Sequence, residues 1–226
     1  MRKLFNAVKK VLCVAFLALM VSPMTADPVE GNGNIVKHSF DVTAFDEITM
    51  SLSATVLFTV SNEYSCTVSI DENLLEFLSF RVDEDELILG TTKRGQELSW
   101  NPTEFVVEVS APSLEEIKLT GSGNVEVLNS LRADELEVKV SGSGNVSVGS
   151  GSIRKMKVNI SGSGSVEAYC DISVLDAKIS GSGNFTANVG TNLFYNISGS
   201  GNIYYYGAPS LKGKKAGSGS LEQLED

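Results

Sequence analysis

Apolar and polar residues alternate over much of the chain, and one short tetrapeptide punctuates the alternation. GSGN stands at 121–124, 142–145, 181–184 and 199–202, and GSGS takes its place at 162–165 and 217–220. Successive first glycines lie 21, 20, 19, 18 and 18 residues apart. Two residues before each corner stand Leu119, Val140, Ile160, Ile179 and Ile197, and four before stand Ile117, Val138, Val158, Ala177 and Tyr195. Just after it come Val125, Val146, Val166, Phe185, Ile203 and Leu221, then Val127, Val148, Ala168, Ala187 and Tyr205 two positions on. Period-two alternation on both sides of a glycine corner predicts two half-buried strands per repeat. The outward positions carry Lys118, Lys139, Asn159, Lys178, Asn196 and Lys214 before the corner, and Glu126, Ser147, Glu167, Thr186, Tyr204 and Glu222 after it.

One such unit cannot bury its own apolar face, whereas stacked units share a continuous core. The pattern therefore predicts an all-β fold, a parallel β-solenoid with coils of about 18–21 residues, regular from about 114 to 220. Equivalent residues should form columns spaced ~4.8 Å apart. The corner glycines (Gly121, Gly123, Gly142, Gly144, Gly162, Gly164, Gly181, Gly183, Gly199, Gly201, Gly217 and Gly219) are expected to take positive φ. Asn124, Asn145, Asn184 and Asn202 are expected to tolerate the left-handed region and to hydrogen-bond in a ladder. Shortening repeats predict a taper toward the C-terminus. The corners do not read as flexible linkers, which carry no apolar columns, nor as phosphate cradles, which need a nearby cation and a following helix. They lack the Asp of a calcium-binding β-roll, so no metal or cofactor is expected.

The first half carries the same signal in weaker form. FDEITMSLSATVLFTV at 45–60 aligns with the repeat: Ile48 with Ile117, Met50 with Leu119, Val56 with Val125 and Phe58 with Val127. This predicts a degenerate opening coil. Residues 64–70 alternate as a strand, Asp71 reads as the cap of a short helix over ENLLEFL, and Asp83–Glu86 as an acidic hairpin turn. Thr91 to Pro102 reads as a polar loop around Trp100, and Phe105 to Val109 as a strand. The expectation is one elongated domain over 27–226, with an irregular N-terminal part containing one short helix.

Arg2, Lys3, Lys9 and Lys10, the apolar run Val11–Val21 and the small residues Thr25-Ala26 predict a secretory signal peptide over 1–26. Eleven apolar residues fall short of the ~20 that span a membrane, so no transmembrane segment is expected in the mature chain. Removing four cations takes the formal charge from −10 to −14. That balance argues against nucleic acid and against electrostatic docking on anionic lipid. Cys66 and Cys170, with 103 residues between them, could pair in an oxidising compartment. Buried free thiols are the favoured expectation.

FDEITMSLSATVLFTV, TVSIDENLLEFLSFRVDEDELIL, the serial SGSGN corners and YYYGAPSLKGKKAGSGS together resemble the auto-transporter adhesin head (GIN) domain family of bacterial envelope proteins. The resemblance covers nearly the whole mature chain. It implies an exported β-solenoid that is periplasmic, outer-membrane-associated or extracellular, and that acts as an adhesin toward a glycan or a protein. It supplies no catalytic residues. The chain after the last GSGS reads only LEQLED, so no auto-transporter barrel is expected within it.

Candidate chemistry is sparse. His38 is the only histidine and lies near the mature N-terminus, which disfavours a Ser-His-Asp hydrolase or a zinc site. Glu126 and Glu167 share an outward column with backbones ~10 Å apart, near the upper limit for an inverting glycosidase. Cross-strand pairing with lysines explains them without catalysis, and the chain is not expected to be an enzyme. Among the aromatics at 194–206, Tyr195 and Tyr205 should fill the tapering core, while Tyr204 and Tyr206 should point outward as binding residues. The leading expectation is a non-catalytic adhesin. The alternatives are a structural solenoid that self-assembles as a homo-oligomer and, third, a polysaccharide-active enzyme.

Overall fold

The structure, a computed structural model, describes residues 28–225. The leader predicted at 1–26 lies outside the described residues. β1 (Val29–Glu30) and β2 (Ile35–Phe40) precede an opening coil of β3 (Glu47–Met50) and β4 (Thr55–Val60). Then come β5 (Ser65–Asp71), a 3-10 turn (Glu72–Phe77), the hairpin of β6 (Leu78–Asp83) and β7 (Glu86–Thr91), helix α1 (Lys93–Glu97), β8 (Trp100–Asn101) and β9 (Phe105–Ala111). β10 (Glu116–Leu119) leads into four long bent strands: β11 (Asn124–Val140), β12 (Asn145–Ile160), β13 (Val166–Ile179) and β14 (Phe185–Ile197). β15 (Ile203–Tyr206), β16 (Ser210–Lys215) and β17 (Leu221–Gln223) follow.

The fold is a parallel β-solenoid of about 5 turns. Its pre-corner face runs β6-β7-β3-β10, then the second halves of β11 to β14, then β16. Its post-corner face runs β2-β5-β9-β4, then the first halves of β11 to β14, then β15 and β17. The register is the one that the alternation predicts: Ile48 pairs with Ile117, Met50 with Leu119, Val56 with Val125 and Phe58 with Val127. A single coil buries Val146, Val148, Ile153, Met156, Val158 and Ile160, each stabilising by ~1.5–3 kcal/mol. The taper arises at the bend far from the glycine corner, where the register shifts after Val127, Val148 and Ala168.

The corner glycines do not take positive φ. Among the described residues only Gly33, Gly151 and Gly207, and of the other residue types only Glu84, have positive φ. The requirement is close stacking instead. A Cβ on Gly142, Gly144, Gly162, Gly164, Gly181, Gly183, Gly199, Gly201, Gly217 or Gly219 would collide with the carbonyl oxygen of the equivalent glycine one coil earlier, far inside the 3.0 Å that real Cβ atoms keep. Gly121 and Gly123 meet the carbonyls of Leu52 and Ala54 in the same way. The corners are also bonded to one another: Ser143 N donates to Gly121 O (3.2 Å), Ser163 N to Gly142 O (3.1 Å), Ser182 N to Gly162 O (3.0 Å) and Ser200 N to Gly181 O (3.0 Å). The opening corner, Ser51–Ala54, carries side chains, and what stands against it is not another glycine corner but the stretch from Thr91 to Pro102 between β7 and β9. Leu52 is buried and borders the cleft formed with Gly95, Leu98 and Trp100.

The expected amide ladder is present without left-handed asparagines. Asn145 Nδ2 donates to Asn124 Oδ1 and Asn202 Nδ2 to Asn184 Oδ1, both at 3.1 Å. Ser165 N and Ser220 N donate to Asn145 Oδ1 (2.9 Å) and Asn202 Oδ1 (2.8 Å).

The irregular part holds two corrections. Asp71 does not cap the 3-10 turn. Its carboxylate is buried and accepts from Gly33 N (2.7 Å) and Thr103 N (2.7 Å), tying β5 to two remote segments. The stretch read as a polar loop contains α1, which Thr92 caps by accepting from Gly95 N (3.2 Å), and β8, which pairs in parallel with β1. Cys66 and Cys170 are buried free thiols, and burial pushes them up to about 12 and about 11.

At the C-terminal end the inward columns lose their apolar character. Lys215 stands under Ile197, Gly213 under Tyr195 and Gln223 under Tyr205, while Leu211 is 46% exposed. Inward charge at a sheet edge opposes further strand addition, which works against end-to-end stacking.

Two measurements check these assignments. Gly144→Ala should lower stability by ~1–3 kcal/mol or more, because backbone rather than a movable side chain stands in the way. Gly149→Ala, whose Cβ would lie 3.6 Å from Val127 O, should be neutral or slightly stabilising by urea denaturation. Asp71 supplies a pH signature. Burial pushes its carboxyl up, but the Thr103 and Gly33 N–H groups, the Thr103 hydroxyl and Glu104 N–H outweigh burial and hold it below its ordinary value. A folded-state pKa below the unfolded ~3.9 stabilises above that pH, and the contribution is lost as pH falls through the folded value. Asp71→Asn should lower the urea midpoint at pH 7 and flatten its fall below about pH 4.

Candidate functional site

Both faces present columns of outward side chains. On the post-corner face one column runs Leu57, Glu126, Ser147, Glu167, Thr186, Tyr204 and Glu222. Tyr204 and Tyr206 are half-buried, as outward residues at the end of the solenoid, while Tyr205 is buried under the core. Tyr195 is only partly buried, because Gly213 beneath it leaves its ring uncovered.

The structure adds a tyrosine that pattern reading missed. Tyr169 follows Ala168 at the far bend, is 54% exposed, and donates its hydroxyl to Glu167 Oε2 at 3.0 Å. That hydrogen bond, then burial, then the charges of Glu167 and Tyr206 hold the phenol above its ordinary value. Tyr206 pairs with Asn188, which pairs with Asp171, so it stands two coils on from a position two residues past Tyr169. The alternation carried a signal for it: Glu167 points out and Ala168 in, so Tyr169 points out. Tyr169, Tyr204 and Tyr206 thus point outward on the same face, with Glu167 and Glu222 in the column of Tyr204. Leu128, 56% exposed, occupies the corresponding place on an earlier coil.

Glu126 and Glu167 stand two coils apart with Ser147 between them, bordering a shallow cleft of about 280 Å³ with Asn124, Asn145 and Ser165. Glu167 is engaged by Tyr169. His38 lies exposed on edge strand β2 against Phe40, with ring centroids 4.9 Å apart, far from these carboxylates in the strand order. Among the described residues no cluster of three His, Cys, Asp or Glu could hold a metal ion, and no helix is long and apolar enough to cross a membrane.

The pre-corner face is ionic. Lys118 Nζ lies 3.3 Å from Glu47, 3.2 Å from Glu86 and 3.3 Å from Glu116. Burial lowers its pKa, but the bonds to Glu86 and Glu47 and the charge of Glu116 raise it above the ordinary lysine value. Lys139 lies 2.7 Å from Glu116 and 3.2 Å from Glu137. Lys157 pairs with Glu135, which Lys155 also reaches at 3.3 Å. Partly exposed pairs of this kind contribute ~0–1 kcal/mol each, so they fix side-chain positions more than they stabilise the fold.

The chain is a parallel β-solenoid with outward ladders and an apolar interior. The chain belongs to the family described as "Putative auto-transporter adhesin, head GIN domain", whose sequence profile matches residues 44–209. Solved structures share the fold. A "putative adhesin" from Bacteroides fragilis is 21% identical, with a TM-score of 0.74 over 87% of this chain and 100% of that one. A "putative lipid binding protein" from Parabacteroides distasonis is 23% identical, with a TM-score of 0.64 over 88% and 100%. A "putative adhesin" from Parabacteroides merdae is 22% identical, with a TM-score of 0.60 over 88% and 100%. No curated protein matches the chain.

The Tyr169–Glu167 bond is directly measurable. In an NMR titration Tyr169 should ionise above the ordinary ~10 of tyrosine, and Glu167→Gln should bring it back down.

Proposed function

We propose that the protein is an exported envelope adhesin that binds a neutral glycan through the platform of Tyr169, Tyr204 and Tyr206. The observation that carries this reading is Tyr169: a large aromatic ring, 54% exposed, held by Glu167 on the face that also carries Tyr204 and Tyr206. Flat aromatic rings offer apolar area at low entropy cost to the C–H faces of a sugar, and their polar tips remain solvated. Glu167 and Glu222 at the edge accept hydrogen bonds from sugar hydroxyls. The carboxylates disfavour acidic glycans on this face by like-charge repulsion. Repetition of the scaffold suits an extended ligand, since each coil advances the surface by ~4.8 Å. Export rests on the leader read at 1–26 and accords with the adhesin description of the family.

The test is a neutral-glycan array probed with the purified protein, beside a Tyr204→Ala/Tyr206→Ala variant and a Tyr169→Ala variant. Saturable binding that both variants weaken at least tenfold, about 1.4 kcal/mol, with an unchanged melting temperature, is expected. Binding that survives in both variants would move the site off this face. Absence of binding to every neutral glycan would overturn the reading.

A further inference from the structure

Two outward columns run side by side along the pre-corner face, and they do not end together. The acid column reads Asp83, Glu86, Glu47, Glu116, Glu137, then Lys157, Asp176, Phe194 and Lys212. The cation column beside it reads Lys118, Lys139, Asn159, Lys178, Asn196 and Lys214. In the early coils every lysine of the second column is met by carboxylates of the first. Further on the acids give out. Asp176 reaches Lys178 only at 4.0 Å, Phe194 is 39% exposed, and Lys212 and Lys214 have no carboxylate partner among the described residues. A groove of about 470 Å³ lies along the same coils, lined by Lys139, Asn159, Lys178 and Asn196 with Ser161 and Ser180.

We propose that this groove and its continuation past Lys214 bind a linear anionic glycan, whose acidic groups take the place that the protein's own carboxylates fill in the earlier coils. The spacing selects the polymer. Lys139 is taken up by Glu116 and Glu137, but beyond it Lys178 and Lys214 stand two rungs apart with Asn196 between them, ~10 Å from one another. That is close to the length of a disaccharide, so the matching ligand carries at least one carboxylate or sulfate on every disaccharide. The intervening Asn159 and Asn196 face the uncharged sugar, to which their amides donate and from which they accept. Ser161 and Ser180 add hydroxyls along the floor, and Phe194 offers a ring for stacking. The chain's net charge of −10 opposes a polyanion at long range, so binding has to come from the local cations of this strip. The site lies on the other face from the tyrosine platform and does not depend on it.

The test uses immobilised chondroitin sulfate, an alternating acidic glycan, with neutral dextran and phosphatidylglycerol vesicles as comparison surfaces. The wild type should bind chondroitin sulfate, weaken as salt rises and ignore dextran. Lys178→Gln/Lys214→Gln should lose at least tenfold in affinity with an unchanged melting temperature, since Lys178 is exposed and Lys214 unpaired. Tyr204→Ala/Tyr206→Ala should bind as the wild type does, which separates this site from the neutral-glycan platform. Equal binding by the lysine variant, no binding to chondroitin sulfate, or binding to the vesicles alone would each overturn the proposal.

Discussion

The structure depends on how closely one coil can lie on the next at the glycine corner. Strand pairing sets a ~4.8 Å repeat along the axis. At the corner the backbone turns so that each Cα points its missing substituent at the carbonyl oxygen of the coil before it. Only glycine leaves that space free. Everything else in the regular part follows from keeping the corners in register: unbroken apolar columns inside, an Asn–Ser amide ladder just after the corner, and outward columns whose members stand one above the other.

Much of this was legible in the sequence, because strict period-two alternation at nearly constant spacing leaves only one stacking register. The opening coil was legible for the same reason, although its corner reads Ser-Leu-Ser-Ala, since Ile48, Met50, Val56 and Phe58 keep the phase. The glycines were located correctly but for a different cause. Sequence identifies a residue without a side chain, and only the fold reveals whether freedom of φ or a crowded Cβ requires it. Asp71 stands where a helix cap belongs, yet its partners Gly33 and Thr103 lie 38 and 32 residues away, beyond any local pattern. Helix α1 is a single short turn with Gly95 inside it, so it leaves no periodic trace. Tyr169 keeps the right phase but precedes a register shift, where columns can no longer be counted from the corner.

Function is built from the two sets of outward columns. The post-corner face gathers Tyr169, Tyr204 and Tyr206 with two carboxylates, and the pre-corner face ends in lysines that its own acids no longer neutralise. Neither arrangement needs a moving part or a nucleophile. Both use what a stacked ladder supplies without further organisation, namely side chains at fixed intervals on a frame that pays little ordering entropy when a partner arrives. The polar residues in the inward columns of the last coil, Lys215 above all, work against extending that frame by strand addition at that edge.

The central claim is that the GSGN corners are stacked structure rather than flexible connections. Native-state hydrogen exchange of the corner amides tests it most directly. Ser143, Ser163, Ser182 and Ser200 each donate to a glycine carbonyl one coil earlier, so their N–H groups should be protected to nearly the same degree as core amides such as Val146 and Val166. Corner amides that exchange at the rates of free loops, while the strands on either side stay protected, would contradict the account.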